Sequence, residues 1–226
     1  VTTELDVLWN NDDINAVAIV TRHDAHATQV LSALESGKHI FVEKPLAVNS
    51  EQLSVISEKM LELEDSPILM VGFNRRFAPH VVKMKSLLGS RREPKSITIT
   101  VNAGDIPADH WTQDPEIGGG RIIGEGSHFI DLMRFLVGHP ITGHQAMMMG
   151  SAPGVELRDD KVSINLSFTD GSFGTINYLA NGGKVFPKER IEVFCGGAVL
   201  QMDNYRILRG YGWRGFNKMK LFKQDK

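Results

Sequence analysis

Two short apolar runs open the pattern of this chain, and both stop abruptly at polar residues. Residues 16–20 (Ala-Val-Ala-Ile-Val) end in Thr21-Arg22-His23, and residues 39–42 (His-Ile-Phe-Val) end in Glu43-Lys44-Pro45. Between them, residues 25–36 carry Val30, Leu31 and Leu34 at helical spacing and close on Gly37, a natural helix terminator. The second run is almost wholly apolar, as a strand covered on both faces should be. Asn49 or Ser50 can cap a second helix with the stripe Leu53, Val55, Ile56, Met60 and Leu63. Ser66-Pro67 breaks it, and residues 68–73 read as a third strand. Strands alternating with helices imply parallel pairing through right-handed crossovers. Ligands of such open sheets bind beyond the carboxyl ends of the strands. Lys44 is therefore placed for chemistry, and Pro45 restricts the turn that aims it.

The pattern changes after Asn74-Arg75-Arg76. A short helix follows Ala78-Pro79, and residues 96–103 read as a strand. Residues 104–120 are irregular, and 122–137 read as a helix closed by Gly138. Strand patterns dominate beyond it. Asp170-Gly171 and Gly196-Gly197, each between β-type runs, predict hairpin turns. Met147-Met148-Met149 reads as strand core. The expected fold class is α/β plus α+β: residues 1–74 hold a parallel sheet, and residues 75–226 a mostly antiparallel open sheet with helices.

Composition narrows the partners. Among 226 residues, 25 are basic and 27 acidic, a net charge of −2. That argues against nucleic acid, which needs clustered positive charge. The 42% apolar fraction suffices for an ordinary core. No apolar run approaches the ~20 residues of a membrane span. Cys195 is the sole cysteine, so no intrachain disulfide is possible and a reducing, cytoplasmic setting is expected. The chain opens at Val1 and stops at Lys226 after a polar, basic stretch, which reads as a fragment of a longer protein.

Several residues are candidates for chemistry. A Lys44 ammonium at the mouth of a parallel sheet can hold a ribose hydroxyl or stabilise a developing alkoxide; the plainer alternative is a solvated turn lysine. His128 ends a run with five glycines in residues 118–126. Its imidazole can exchange a proton near neutrality, and the glycines let a ligand approach the backbone; taken alone, it also fits a core or capping histidine. Gly118-x-Gly120-x-x-x-Gly124 mimics a dinucleotide fingerprint but lacks the strand that must precede one. Glu125-x-x-His128 is one half of a di-iron pattern without its second copy. His23-x-x-His26 has no third ligand at matching spacing and reads as surface histidines, so no metal is expected. In the long loop, Trp111 could stack on a sugar ring and His110 bond a hydroxyl, or the tryptophan could simply pin the loop. Arg75-Arg76 could hold an anion or pair with acids.

Together these stretches resemble the Gfo/Idh/MocA family of NAD(P)-dependent oxidoreductases. The resemblance rests on residues 16–21, on 33–46 with Glu43-Lys44-Pro45, on Gly72-Phe73-Asn74-Arg75-Arg76-Phe77, and on Gly118-Gly119-Gly120 through His128-Phe129-Ile130-Asp131. Residues 102–111 look like a narrower branch, fused behind a zinc-type alcohol-dehydrogenase-like module. The resemblance implies a partial Rossmann domain, then a large antiparallel sheet. It implies that Lys44 contacts the nicotinamide ribose and the substrate hydroxyl, that Glu43, Thr21 and His23 lie at the cofactor, and that His128 transfers the proton. His23 stands where the family usually has Asn, and Arg22 where it has Pro. Gly124 stands where it commonly has Asp, four residues before the histidine. One helical residue turns a side chain by about 100°, so Glu125 replaces that Asp only through altered local geometry. Otherwise this branch works with Lys44 and His128 alone.

The function expected is hydride transfer between NAD or NADP and a hydroxyl-bearing carbon of a sugar or cyclitol. Lys44 and His128 are the catalytic pair, with Glu125, His110 and Trp111 at the substrate. A homo-oligomer through the C-terminal sheet is expected. The family's phosphate loop and adenosine-ribose acid would precede Val1, so this stretch alone is expected to be inactive. Three alternatives remain open: a NAD-dependent glycosidase, a non-catalytic sugar or dinucleotide sensor, and an assembly module.

Overall fold

The computed structural model describes residues 2–154 and 159–221; the basic tail at 222–226 lies outside them. The chain forms two compact units. One comprises the residues up to Phe73 with Ala108–Ser127, the other Asn74–Pro107 with the residues from His128 onward. The first division falls between Phe73 and Asn74. The Gly-rich loop then returns to the first unit, which no contiguous division foresees.

In the first unit a one-turn helix α1 (Asp6–Trp9) precedes β1 (Ala16–Ile19), α2 (His23–Glu35), β2 (His39–Val42), α3 (Ser50–Glu62) and β3 (Leu69–Val71). The strands form a parallel sheet in the order β1-β2-β3, with Ala16 opposite His39 and Ile40 opposite Leu69. Val30, Ala33 and Leu34 of α2 pack with Ile40 and Val42 of β2 and Ile56 of α3. α2 starts at His23, two residues before the sequence suggested, because Arg22 keeps extended backbone in front of it. Its end is a Schellman motif: Lys38 N–H donates to Ala33 O and Gly37 N–H to Leu34 O, both at 3.0 Å, with Gly37 at φ +67°. Asn49 caps α3, accepting from Gln52 N–H at 2.9 Å, while Gln52 accepts from Val48 N–H. The α3 stripe needs correction. Ile56 is buried and Met60 and Leu63 partly so, but Leu53 and Val55 point outward, because one helix face meets one small sheet. Lys38 is a buried lysine, donating to the carbonyls of Asn11 and Ile14 at 2.9 Å each.

The second unit holds α4 (Pro79–Leu88), β4 (Ser96–Asn102), most of α5 (Ser127–Val137), then β5 (Ile141–Met148), β6 (Lys161–Phe168), β7 (Phe173–Leu179), β8 (Glu189–Cys195), β9 (Ala198–Asp203), β10 (Ile207–Tyr211) and β11 (Lys218–Lys220). Among the described residues eight strands order as β11-β10-β9-β8-β4-β7-β6-β5, and only the β4–β7 pair is parallel. The turn glycines take left-handed backbone, with Gly171 at φ +84° and Gly196 and Gly197 at φ +54° and +74°. Alternate residues of β4 and β8, such as Ile97, Ile99, Ile191 and Val193, are buried on one face. α5 contributes to that core, with the Phe129 ring 6.4 Å from Tyr178. The methionine run is a correction: Met147, Met148 and Met149 are 72%, 47% and 45% exposed. β5 is the edge strand, so it has a neighbour on one side only. Arg75 pairs with Glu189 through two hydrogen bonds, at 3.1 and 2.8 Å, and Arg76 with Asp131; both arginines pair with acids of their own unit. Among the described residues no helix is long and apolar enough to cross a membrane.

Candidate functional site

The carboxyl ends of β1 and β2 open onto a cleft of about 470 Å³ in the first unit. Val20, Thr21, Arg22 and His23 leave β1 into it, Glu43 and Lys44 leave β2, and Trp111 closes one side from the loop. The four residues expected at a cofactor, Thr21, His23, Glu43 and Lys44, thus line one cavity with Trp111.

Three of them, Thr21, His23 and Lys44, are held by hydrogen bonds. Thr21 Oγ1 donates to Gln29 Oε1 at 3.0 Å. Lys44 Nζ, half-buried, donates to the Gly124 carbonyl oxygen at 2.7 Å. The peptide joining it to Pro45 is cis. His26 is completely buried beneath the cleft. Its Nδ1 lies 2.7 Å from Pro45 O and its Nε2 3.1 Å from Thr21 O, which ties the two strand ends together. His23 is 9% exposed, with Nδ1 2.9 Å from Gly118 O. Burial pushes the His23 imidazole below its ordinary value; the Lys44 charge acts in the same direction, and the Gly118 bond only partly opposes them. The reading of His23 and His26 as surface histidines is therefore corrected. Position in sequence does not show that the start of α2 is roofed by a loop nearly a hundred residues away. Among the described residues no three His, Cys, Asp or Glu side chains gather as metal ligands.

That loop is organised by Asp114, which the sequence reading missed. Its carboxylate accepts from Glu116 N–H at 2.8 Å and Ile117 N–H at 3.2 Å, and its carbonyl from Gly118 and Gly119. Asp-Pro before a glycine run was the available signal. Gly118 lies so close to Thr112 that a Cβ would overlap the Thr112 backbone. Trp111 meets His23 edge-on, with ring centroids 4.8 Å apart, and the Arg22 guanidinium lies 5.3 Å from its ring centre. His110 caps the short turn Trp111–Gln113, with Nδ1 2.8 Å from Thr112 Oγ1.

The helix expected over 122–137 begins instead as a wide π-turn, Ile122–Gly126, before α5 proper. Such turns are frequent at functional sites. Here the wide turn contains Gly124, whose carbonyl receives Lys44. The local geometry is altered, but the Glu125 carboxylate lies 3.4 Å from the buried Arg121 guanidinium. His128 belongs to the second unit, where it is buried in the first turn of α5.

Comparisons agree with this architecture. Residues 1–73 match the family described as "Oxidoreductase family, NAD-binding Rossmann fold", and residues 84–201 match "GFO/IDH/MocA C-terminal domain". The chain is 29% identical over 211 residues to inositol 2-dehydrogenase of Rhizobium meliloti, covering 89% of this chain and 61% of that protein. It is 27% identical over 213 residues to levoglucosan dehydrogenase of Pseudarthrobacter phenanthrenivorans, covering 80% and 53%. In fold it matches an NAD-binding oxidoreductase from Klebsiella pneumoniae, with a TM-score of 0.80 at 24% identity, covering 96% of this chain and 64% of that one. The chain thus spans little more than half the length of these curated relatives. With both parts of the pattern present in order, the chain belongs to the GFO/IDH/MocA family of oxidoreductases.

Proposed function

We propose that the intact protein is an NAD(P)-dependent oxidoreductase moving hydride between a nicotinamide cofactor and a hydroxyl-bearing carbon of a sugar or cyclitol. The observation that carries this reading is the Lys44 ammonium, fixed at the end of β2 in a cleft it shares with the Glu43 carboxylate. The names of the relatives, inositol and levoglucosan dehydrogenases, support the substrate class.

The cleft residues fit the ribose end of a dinucleotide. Glu43 supplies acceptor oxygens and Lys44 a cationic donor, the pair that neighbouring hydroxyls require. Gly72 leaves room for Glu43: a Cβ there would lie 3.2 Å from Glu43 Oε2. When bound, the nicotinamide supplies the hydride chemistry. Lys44 orients the substrate hydroxyl and stabilises the negative charge that develops on its oxygen. His128 accepts the hydroxyl proton, a role supported by its place in the Gly-rich motif and by the acceptor nitrogen that a neutral imidazole carries. Glu125, His110 and Trp111 are proposed as substrate contacts, Trp111 with the added support that it lines the cleft.

Three finer points belong to the same proposal. The parent carries a zinc-type alcohol-dehydrogenase-like module ahead of this stretch, by the likeness of residues 102–111. It works in the cytoplasm. It self-associates through the large sheet, where Phe173, Phe194 and Tyr211 stand exposed along one ladder row. Light scattering tests the last of these.

The central test is turnover of inositol and levoglucosan with NAD and NADP by the intact protein and its Lys44→Ala and His128→Ala variants. Each variant is expected to lose at least ~100-fold in kcat/KM. Near-wild-type turnover in either variant removes that residue from the mechanism. Binding without turnover of any polyol would leave a sensor, and bond cleavage without net change in cofactor absorbance a glycosidase.

A further inference from the structure

Four basic side chains of the second unit, Arg76, Lys85, Arg134 and His139, line one cavity of about 220 Å³. Arg76 comes from the short turn Asn74–Phe77, Lys85 from α4, Arg134 from the last turn of α5 and His139 from just beyond it. Among the described residues no acidic side chain lines the cavity with them. The acids beside it are already engaged. Asp131 accepts from Arg76 Nε at 3.0 Å and from its Nη2, which leaves the Nη1 donors over. Asp170 lies 3.9 Å from His139 Nε2 and 4.0 Å from Lys95 Nζ. Among the described residues Lys85 and Arg134 form no ion pair.

Helix capping does not account for this set. A cation near a helix C-terminus is favourable, and the Lys85 ammonium does donate to the Leu136 carbonyl oxygen, at 3.4 Å. That contact uses one of its three N–H donors. Burial, and then the Lys95 charge, push the Lys85 pKa below its ordinary value, and no carboxylate acts against them. Arg76 and Lys85 both stand over the Phe135 ring, 5.3 and 5.4 Å from its centre. Gly138 leaves the ammonium its place, because a Cβ there would lie 2.7 Å from Lys85 Nζ.

We propose that this cavity is an anion site that binds a phosphate group, as free phosphate or as the monoester of a small metabolite. The two unmatched charges of Lys85 and Arg134 equal those of a phosphate dianion. Arg134 offers a planar fork of N–H donors and Lys85 a point charge, two forms in which proteins hold phosphate. Arg76 Nη1 and the His139 ring add further donors. The C-terminal end of α5 carries a partial charge of about −0.5, which opposes an anion but is outweighed by two whole charges. The volume falls below the roughly 300–1,000 Å³ of ordinary ligand pockets, so it suits a small anion and not a dinucleotide. The site shares no lining residue with the cleft of the first unit, and it does not rest on the oxidoreductase reading.

Phosphorus-31 NMR and calorimetry of the intact protein test the site with no need for turnover. Inorganic phosphate and glycerol 3-phosphate are titrated separately in low-chloride buffer, and saturable binding is expected. Tighter binding of the monoester identifies a metabolite as the source, tighter binding of phosphate the free anion. Lys85→Met and Arg134→Gln are each expected to weaken the tighter ligand at least ~10-fold, the size of a hydrogen bond to a charged group. Arg134→Lys, which keeps the charge, is expected to recover part of the loss. Arg134 is exposed, so its variants probe the site without disturbing the core. The ligand is also expected to raise the melting temperature of the wild type and not that of the Lys85→Met/Arg134→Gln double variant. Binding no tighter than about 1 mM for both ligands overturns the site. Affinity retained within about twofold by both single variants would place the anion elsewhere and refute it. Equal affinity for citrate would show an unselective cation cluster and overturn the assignment to phosphate.

Discussion

Lys44 and Gly124, eighty residues apart in the chain, meet through a 2.7 Å hydrogen bond from the lysine ammonium to the glycine carbonyl. The bond joins the carboxyl end of β2 to the π-turn that leads into α5. It gives a flexible four-carbon side chain a defined position before any ligand arrives, and preorganised charge is what makes electrostatic stabilisation effective.

That fixation makes Lys44 sensitive to shape as well as charge. Lys44→Met is expected to lower kcat/KM by about 10²–10³, the loss found when a charge-stabilising donor is removed. Lys44→Arg keeps the charge but carries a planar fork in place of a point charge, and is expected to recover less than a tenth of the wild-type value. Steady-state kinetics on a polyol decide it; full activity in Lys44→Arg would show that charge alone matters.

Gly118 serves the cleft through its carbonyl and the loop through its missing side chain. Gly118→Ala would press a Cβ into the Thr112 backbone, which cannot yield as a side-chain tip can. The expected cost is about 1–3 kcal/mol, read as a lowered urea midpoint, together with loss of the His23 anchor. A wild-type midpoint would mean that the loop relaxes freely.

The Arg75–Glu189 pair is expected to dominate the electrostatics of the second unit. Both side chains are largely buried, at 19% and 6% exposure, and the Arg75 guanidinium also lies over the Phe129 ring at 4.7 Å. Burial, with the Glu189 charge in support, pushes the neighbouring Tyr205 hydroxyl far above its usual range. Glu189→Ala leaves a buried guanidinium unmatched, at an expected cost of about 3–5 kcal/mol. The double variant with Arg75→Ala should cost clearly less than the sum of the two singles. Additive losses in denaturant melts would argue that the two groups do not interact.

His80 of α4 is completely buried, and burial holds its pKa below the ordinary 6.5. Below about pH 6.5 the unfolded chain binds a proton that the folded chain refuses, so stability falls as pH drops toward the folded-state pKa. Above pH 6.5 both states are neutral and the term vanishes. Melts at pH 7.5, 6.5 and 5.5 should show a shallower acid loss in His80→Leu than in wild type, whatever its absolute stability. An identical slope would rule His80 out as a source of acid sensitivity.

Gly124 and His23 should behave as one unit, since an ideal Cβ at 124 would stand 3.2 Å from His23 Cε1. Gly124→Asp alone is expected to displace the His23 ring and weaken ligand binding. With His23→Ala the space is open, and the same aspartate should cost about 0.5–3 kcal/mol less in stability, the usual range for residues in contact. A thermodynamic cycle without coupling would separate the two positions.

Local rules carried much of the fold. Residues 16–19 and 39–42 are strands because apolar runs bounded by polar residues have few other uses, and Asn49, Gly37 and the paired turn glycines mark element ends through backbone chemistry that acts over a few residues. Lys44 was legible for the same reason: a charged residue just past a buried strand lies at the sheet's mouth. Contacts between distant segments were not legible. His23 and His26 read as surface residues because helix-start positions usually are. They are buried because the 108–127 loop and the Pro45 turn fold onto them. Met147–Met149 read as core from apolarity alone, yet lie exposed on the end of an edge strand and just past it. Burial depends on which surfaces meet. That is a property of the packed chain, and a run of residue types records only what each position tolerates.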